Sequence, residues 1–510
     1  MDLRSMVAFA AERAPESPAV VDSGVRLTYA ELAERSLAVA AGLERSGVRH
    51  GDRVCVGMRN TADHVVTFLA LQALGAVHVP FNFRFKAASV AAVVEDCDAR
   101  AAIVDDAALA DAVRRESAAA SGIPWIVAGP SEGPTLDELA ADGAGRSPST
   151  SVAADDLSVI LYTSGTTGRP KGVPLTQHNA IGRVLSYLPS VNLPFDLGPQ
   201  TLGAAPLYHT VGLHYVLCVS LYLGGAYHPA RDASGPALLG LVEERGLSFL
   251  FGSPTLFHAM LLASQAASYD TSTVTHVSFG SAPMPPSQLQ ALAALFPHAQ
   301  ISEVYGTTEI SVPFVTRDAL AVDTGALRVT VDHRVRVIQP GGSPSDVQPP
   351  GLEGELIVDV VNDGCFSGYW NQPEKTAERV RDGWYYTGDA FRADDRGNYS
   401  IAGRLDDMFI CGGENIQPAE IEQILSAHPS IVDIAVIGTP DERWGQVVTA
   451  LVVCPESDLT EEQIEEYCRA SPLADFKRPR RVVFVDAIER NPSGKVVRSV
   501  LRDRYAAQFA

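Results

Sequence analysis

Between Tyr162 and Gly172 the chain gathers four hydroxyls (Thr163, Ser164, Thr166, Thr167), three glycines (Gly165, Gly168, Gly172) and one lysine, Lys171. Glycines let backbone approach a ligand closely, and successive N–H groups form an anion-binding concavity. The hydroxyls add donors and Lys171 adds positive charge, so the natural guest is a polyphosphate. A plain Gly/Ser/Thr surface loop would need neither the lysine nor the apolar run Leu157 to Leu161 just upstream, which reads as a buried strand. The common P-loop is excluded by spacing. Arg169 and Pro170 separate Gly168 from Lys171, Gly172 follows the lysine, and a proline there disfavours the helix that motif requires.

The elements that must position this loop can be read in order. Thr28 and Glu31 stand at capping-box spacing before an apolar-periodic segment reaching about Leu43. Strands are predicted at Val54–Val56, Val77–Pro80 and Ala101–Val104, and helices at Ala62–Leu74 and Ala87–Cys97. Such alternation means a parallel sheet with crossovers. It resumes after Asp156 and again around Val242 to Phe251. The Gly/Ser/Pro/Ala-rich stretch Ala140 to Ala154 reads as a linker between two α/β subdomains. From Val331 short strands dominate (Arg334–Ile338, Gly354–Val361, Asn398–Ile401), suggesting a β-rich subdomain. After Asp406 a compact α+β order follows. The expectation is an α/β protein: a large N-terminal domain, residues 1–405, of two α/β subdomains plus the β-rich one, and a small mobile α+β domain, 406–510.

Bulk properties narrow the function. A chain of 510 residues exceeds a single core. A formal charge of −21 argues against a nucleic-acid surface, so phosphates must be met by local donors and a divalent metal. The seven cysteines are scattered without a Cys-x-x-Cys, as expected of reduced thiols and no zinc site. Neither a signal peptide nor a run of membrane-spanning length is evident, which leaves the cytoplasm as the default.

Five motifs occur in order: Tyr162–Gly172, Tyr305–Glu309, Tyr386–Asp389, Gly403–Asp406 and Asn491–Lys495. Together they resemble the adenylate-forming superfamily of acyl- and aryl-CoA synthetases, luciferases and peptide-synthetase adenylation domains, over essentially the whole chain. The resemblance implies ATP and Mg²⁺ chemistry in two halves. A carboxylic acid attacks the α-phosphate of ATP and expels pyrophosphate; a thiol, that of coenzyme A, then displaces AMP. It assigns Thr163, Ser164, Gly165, Thr166, Thr167, Gly168 and Lys171 to the phosphates. Tyr305, with Gly306, Thr307 and Thr308, would face adenine against Ser281, Ala282 and Pro283; Asp389, in a turn, would take the ribose hydroxyls with Arg404 nearby. Glu309 follows a Gly-Thr-Thr turn. A carboxylate beside phosphates is repelled unless a cation lies between, so Glu309, with Thr167, is expected to hold Mg²⁺. Lys495, otherwise an exposed lysine, becomes the catalytic lysine, and Asp406 the hinge of a domain rearrangement.

The resemblance extends to both remaining substrates. Against aryl-CoA ligases acting on halobenzoates, the acid pocket carries over to Ser186, His209, Thr210, Val211, Phe251, Ala282, Val304, Gly306, Ser311 and Val312. His209 is read as a gate and wall. Ser186 and Ser311 replace larger apolar side chains, which points to an acid with a polar ring substituent or an arylpropenoic acid. Gly412, Gly413 and Glu414 resemble the pantetheine tunnel; Arg84, Trp444, Phe476 and Arg478 resemble a clamp for the CoA nucleotide. The expected protein is therefore an ATP-dependent acid:CoA ligase, a possible homodimer with a small carboxylic acid as partner. The rival readings are an adenylating enzyme with a carrier-protein thiol or nitrogen acceptor, and a non-catalytic nucleotide-binding protein.

Overall fold

The computed structural model describes residues 3–129, 133–163, 171–282, 284–320, 326–412, 414–441, 443–454, 459–471, 473–490 and 496–509. Two large sheets dominate. One has six strands in the order Trp125–Val127, Ala101–Val104, Arg53–Gly57, Val77–Pro80, Leu157–Thr163, Lys171–Thr176, parallel except for its final pair. The other has nine. Its parallel centre runs Gln300–Thr307, His276–Phe279, Phe249–Gly252, Gln200–Gly203, Ala226–Pro229 and Pro18–Asp22, with antiparallel strands at both margins.

The centre strands are short and apolar on both faces, as parallel strands covered by helices must be; Phe249 to Gly252 is buried throughout. The helix Tyr29–Arg45 starts at the anticipated capping box of Thr28 and Glu31. With Ala62–Leu74 it contributes Leu32, Leu43, Phe68 and Leu71 to a core that also takes Val54 and Val56 from the six-stranded sheet and Val20, Tyr227 and Phe249 from the nine-stranded one.

The stretch 140–154 does not divide two subdomains. The strands on either side of it, Trp125–Val127 and Leu157–Thr163, belong to the same sheet, and the N-terminal strands Pro18–Asp22 and Val25–Thr28 join the sheet built mostly after residue 200. Glycine and serine content marked a surface crossing; long-range strand pairing set the architecture.

A five-stranded antiparallel sheet follows, built on Val335–Ile338, Glu353–Asp359 and Trp384–Ala393 with Val380–Arg381 and Tyr399–Arg404. The last part holds the hairpin Phe409–Cys411/Glu414–Ile416 and a sheet of Asp433–Asp441, Gly445–Val453 and Arg481–Phe484. It has its own core of Ile421, Leu425, Val436, Val448 and Ile464. Among the described residues no helix is long and apolar enough to cross a membrane, and all seven cysteines are free thiols.

Candidate active site

Leu157–Thr163 and Lys171–Thr176 pair antiparallel with Thr163 opposite Lys171, so the two ends of the hydroxyl-rich loop are fixed side by side. The Thr163 hydroxyl reaches the Lys171 carbonyl at 3.5 Å. Ser164, Gly165, Thr166, Thr167 and Gly168 lie outside the described residues, as do Pro283, Gly413 and Lys495. The Lys171 ammonium sits 5.4 Å from the centre of the Tyr369 ring, within cation–π range. Its pKa is lowered by partial burial and by Lys375 and Arg379, against the pull of Glu309. Those two cations share the helix Pro373–Arg379, four residues apart and so on one face. The sequence reading missed them; a basic pair at that spacing was the available signal.

Glu309 lies in the turn joining Gln300–Thr307 to Ser311–Thr316. It is buried. Tyr369 donates its hydroxyl to Oε1 at 2.8 Å, and the Phe366 amide donates to the Glu309 carbonyl at 2.8 Å. Tyr369, also unforeseen, thus touches both Lys171 and Glu309. The turn is tight. A Cβ on Gly306 would stand 2.0 Å from the Ser311 carbonyl oxygen, so only glycine fits. Ser311 takes φ 64°, as Ser281 takes φ 74° in the loop after His276–Phe279. Left-handed backbone at non-glycine residues is costly and concentrates at sites where the surroundings impose it. The Thr307 hydroxyl is buried without a protein partner, and Thr308 offers its carbonyl to Arg183 at 2.7 Å. No group of three or more His, Cys, Asp or Glu poised to hold a metal occurs among the described residues. One buried carboxylate fits Mg²⁺, which is commonly held by one or two carboxylates together with substrate phosphates and water.

Asp389 does not sit in a turn. It lies within the strand Trp384–Ala393, opposite Arg404 on Tyr399–Arg404. Gly388 before it has φ 73°, which kinks the strand and gave the appearance of a turn. Tyr305 donates its hydroxyl to Asp389, and Arg404 Nη1 donates to Asp389 Oδ1 at 2.8 Å. Burial works against the charge on Arg404, but Asp389 and Asp406 outweigh it and raise its pKa. Burial, reinforced by Asp389, likewise drives the Tyr305 phenol far above its usual range. Tyr305 is therefore a neutral donor and Asp389 the acceptor. The Tyr305 ring packs edge-on to Phe314 and Phe391, with centroids at 5.9 and 4.9 Å. Exposed Ser281 and Ala282 follow Gly280, whose Cβ position would lie 2.7 Å from the Val304 carbonyl. Arg404 also reaches Asp406 at 3.4 Å, and Arg379 approaches it at 4.0 Å.

Next to this cradle lies an aromatic box. Phe251, at the end of its strand, stacks on Tyr187 with centroids 5.8 Å apart and planes 9° apart, and Tyr215 closes on Tyr187 at 5.0 Å. Tyr215 and Ser311 share a buried hydrogen bond of 2.9 Å, and Val304 and Val312 are buried beside them. Sequence reasoning named Phe251 and Ser311 but neither tyrosine. Ser186 lies on the helix Gln177–Ser190, and beside it the Asp332 carboxyl, despite burial, has its pKa lowered by His333 and by Ser186. Thr210 and Val211 begin a π-helical segment, Val211–Cys218, a geometry frequent at functional sites. The His209 ring packs on Tyr208 at 4.7 Å, Tyr208 on Phe83 at 6.2 Å, and Arg84 and Arg59 lie over Phe83 at 5.4 and 5.0 Å. The expected gate and one expected CoA contact thus share one ladder of rings.

The other expected CoA residues belong to the C-terminal part. Trp444 covers Gly412, where a Cβ would meet its ring at 2.5 Å. Arg443 and Arg480 lie over the same ring at 4.9 and 4.6 Å. Glu414 is exposed on its hairpin, Phe476 is partly exposed beside Lys477, and Arg478 pairs with Asp475 at 2.9 Å. No hydrogen bond, ion pair or ring contact among the described residues joins Arg84 to Trp444, Phe476 or Arg478.

Comparison with known proteins finds relatives along the whole chain. The AMP-binding enzyme family matches residues 7–370, and its C-terminal domain matches 420–495. The chain is 38% identical to a 4-chlorobenzoate–CoA ligase of Arthrobacter sp over 512 aligned residues, 99% of this chain and 95% of that protein. It is 35% identical to a feruloyl-CoA synthase of Amycolatopsis sp, covering 97% of each. The crystal structure of ATP-bound MatB from Rhodopseudomonas palustris superimposes with a TM-score of 0.88 at 30% identity, covering 100% of both chains.

Proposed function

This chain belongs to the AMP-binding enzyme family, and from that premise we propose how its residues divide the work. It is an AMP-forming acid:CoA ligase that uses ATP, Mg²⁺ and coenzyme A on an aromatic or arylpropenoic acid. The observation that carries the reading is the convergence, beside one aromatic box, of the Lys171–Tyr369–Glu309 cluster and the Tyr305–Asp389–Arg404 cluster.

Lys171, Thr163 and the loop hydroxyls Ser164, Thr166 and Thr167 hold the β- and γ-phosphates, with Lys375 and Arg379 adding positive potential. Tyr305 backs the adenine against Ser281–Pro283, and Asp389, oriented by hydrogen bonds from Tyr305 and Arg404, takes the ribose hydroxyls. Glu309, with Thr167, would hold Mg²⁺, whose contribution is to offset phosphate charge. The acid lies against Phe251, Tyr187 and Tyr215, with its carboxylate toward Thr210 and Gly306. A carboxylate oxygen bonds to the α-phosphorus as the bond to pyrophosphate breaks, and Lys495 stabilises the charge developing there. Rotation about Asp406 then exchanges Lys495 for the tunnel at Gly412–Glu414. The CoA thiolate, its proton released to solvent, attacks the acyl carbon and AMP leaves. His209 gates the tunnel mouth, and Arg84 with Trp444, Phe476 and Arg478 holds the CoA nucleotide.

Within the aromatic class we propose a ring bearing a hydroxyl, supported by the Tyr215–Ser311 pair at the end of the box. The domain boundary at Asp406, a homodimer, a cytoplasmic setting and independence from nucleic acid complete the proposal; light scattering checks the dimer. Purified enzyme with ATP, Mg²⁺, CoA and a panel of benzoates, cinnamates and fatty acids tests the whole. Thioester, AMP and pyrophosphate should form in equal amounts with an aromatic acid. Acid-dependent AMP release that CoA neither speeds nor converts to thioester would sink the CoA-ligase reading.

A further inference from the structure

We infer that Arg183 is a positioning residue that couples the acid wall to the nucleotide and metal turn. It lies in the helix Gln177–Ser190 and is completely buried. A buried guanidinium ordinarily finds a carboxylate, because burying an unpaired charge is expensive. Arg183 instead donates to three neutral acceptors on three separate elements. Nη1 donates to the Thr210 hydroxyl at 2.9 Å, Nη2 to the Thr308 carbonyl at 2.7 Å, and Nε to the Gly364 carbonyl at 2.8 Å.

Each acceptor leads to a different part of the site. Thr210 follows the gate residue His209. Thr308 precedes Glu309 in the turn. Gly364 begins the loop whose Phe366 amide and Tyr369 hydroxyl hold the Glu309 carbonyl and carboxylate. A guanidinium has no acceptor, so the Thr210 hydroxyl accepts from it and keeps a second hydrogen-bonding position free for another partner. Its other partner is His214 Nδ1 at 3.0 Å. One planar fork therefore ties the turn before Glu309, the loop that supports it and the acid wall together. Lysine, a point charge on a flexible stem, cannot serve three acceptors in this geometry. Burial lowers the Arg183 pKa, and Tyr215, Cys365 and Glu309 oppose that lowering.

The consequence is linkage: occupation of the nucleotide side should tighten acid binding, and the reverse, by the same factor. The inference rests on the acid:CoA ligase reading, so the acid with the highest kcat/KM in the panel serves as probe. Its affinity is measured calorimetrically with and without Mg²⁺ and α,β-methylene-ATP in wild type, Arg183→Lys, Thr210→Val and Thr210→Ser. Wild type and Thr210→Ser, which keeps the hydroxyl, should show about tenfold tightening. Arg183→Lys and Thr210→Val should show a factor near one. A residue that only stabilises the fold would lower the melting temperature and leave the factor intact. The inference is overturned if wild type shows no tightening, or if Arg183→Lys or Thr210→Val retains it. Should Arg183→Lys fail to fold, the Thr210→Val and Thr210→Ser pair decides alone. Wild type that forms no thioester with any acid defeats the functional reading; wild type that forms it while the variants keep the factor defeats this inference only.

Discussion

Glu303 gives the sharpest test of the physical reasoning. It lies in the strand Gln300–Thr307, two residues before Tyr305, and is 8% exposed. Its register neighbours are Phe279 and Thr316, and no ion pair reaches it among the described residues. Burial alone pushes its carboxyl from 4.5 up to about 7. The folded state therefore holds a proton that the unfolded chain gives up. The stability this confers is fully present below pH 4.5 and is lost as pH rises through about 7. The span amounts to about 3 kcal/mol. Glu303→Gln keeps the shape and cannot ionise, so it escapes the loss. Wild type and variant should converge near pH 4.5 and separate as pH rises, the variant ahead by about 3 kcal/mol at pH 8.5. Urea midpoints of the full-length pair across that range are the assay, read as differences because a multidomain chain need not unfold in two states. A variant no more stable than wild type at pH 8.5, or a gap that widens toward acid, would refute the argument.

Asp389→Asn keeps the shape but loses the acceptor-only charge; kcat/KM for ATP should fall roughly 100-fold, about 3 kcal/mol of charge-assisted hydrogen bonding, with the KM for the acid unmoved in a pyrophosphate-release assay. Lys495→Met should slow pyrophosphate release by about 10²–10³-fold, as loss of a transition-state donor does, while thioester formation from presynthesised acyl-adenylate stays near wild type. Ser311→Met removes Tyr215's partner and fills the wall; the ratio of kcat/KM for 4-hydroxybenzoate over 4-chlorobenzoate should drop about tenfold, in line with roughly 1–3 kcal/mol for an orphaned buried hydroxyl.

What the sequence disclosed and what it concealed divide along a physical line. Local structure carried by a run of neighbours was legible: the strand that leads into the hydroxyl-rich loop, the turn that holds Glu309, the Thr28 cap. Chemistry assembled across the chain was not. Tyr369 is far in sequence from Lys171, and only the five-stranded sheet and its loops bring it between Lys171 and Glu309. Tyr215 was hidden for a different reason. It sits in an apolar run buried from Gly212 to Cys218, so no polar face marks a period, and the segment is π-helical. With i→i+5 bonds, a 3.6-residue template assigns side chains to the wrong faces. Arg183 inverts the usual prior: a lone arginine in a helix reads as solvated, because burial without a carboxylate is costly. That cost is tolerated here because three elements each offer a carbonyl or hydroxyl to one fork. A residue whose local signal argues for the surface, and which the fold nevertheless buries beside the reacting groups, is where a functional constraint outweighs local preference. By that criterion Arg183, rather than the motif residues, is where this chain's own arrangement departs from what its motifs declare.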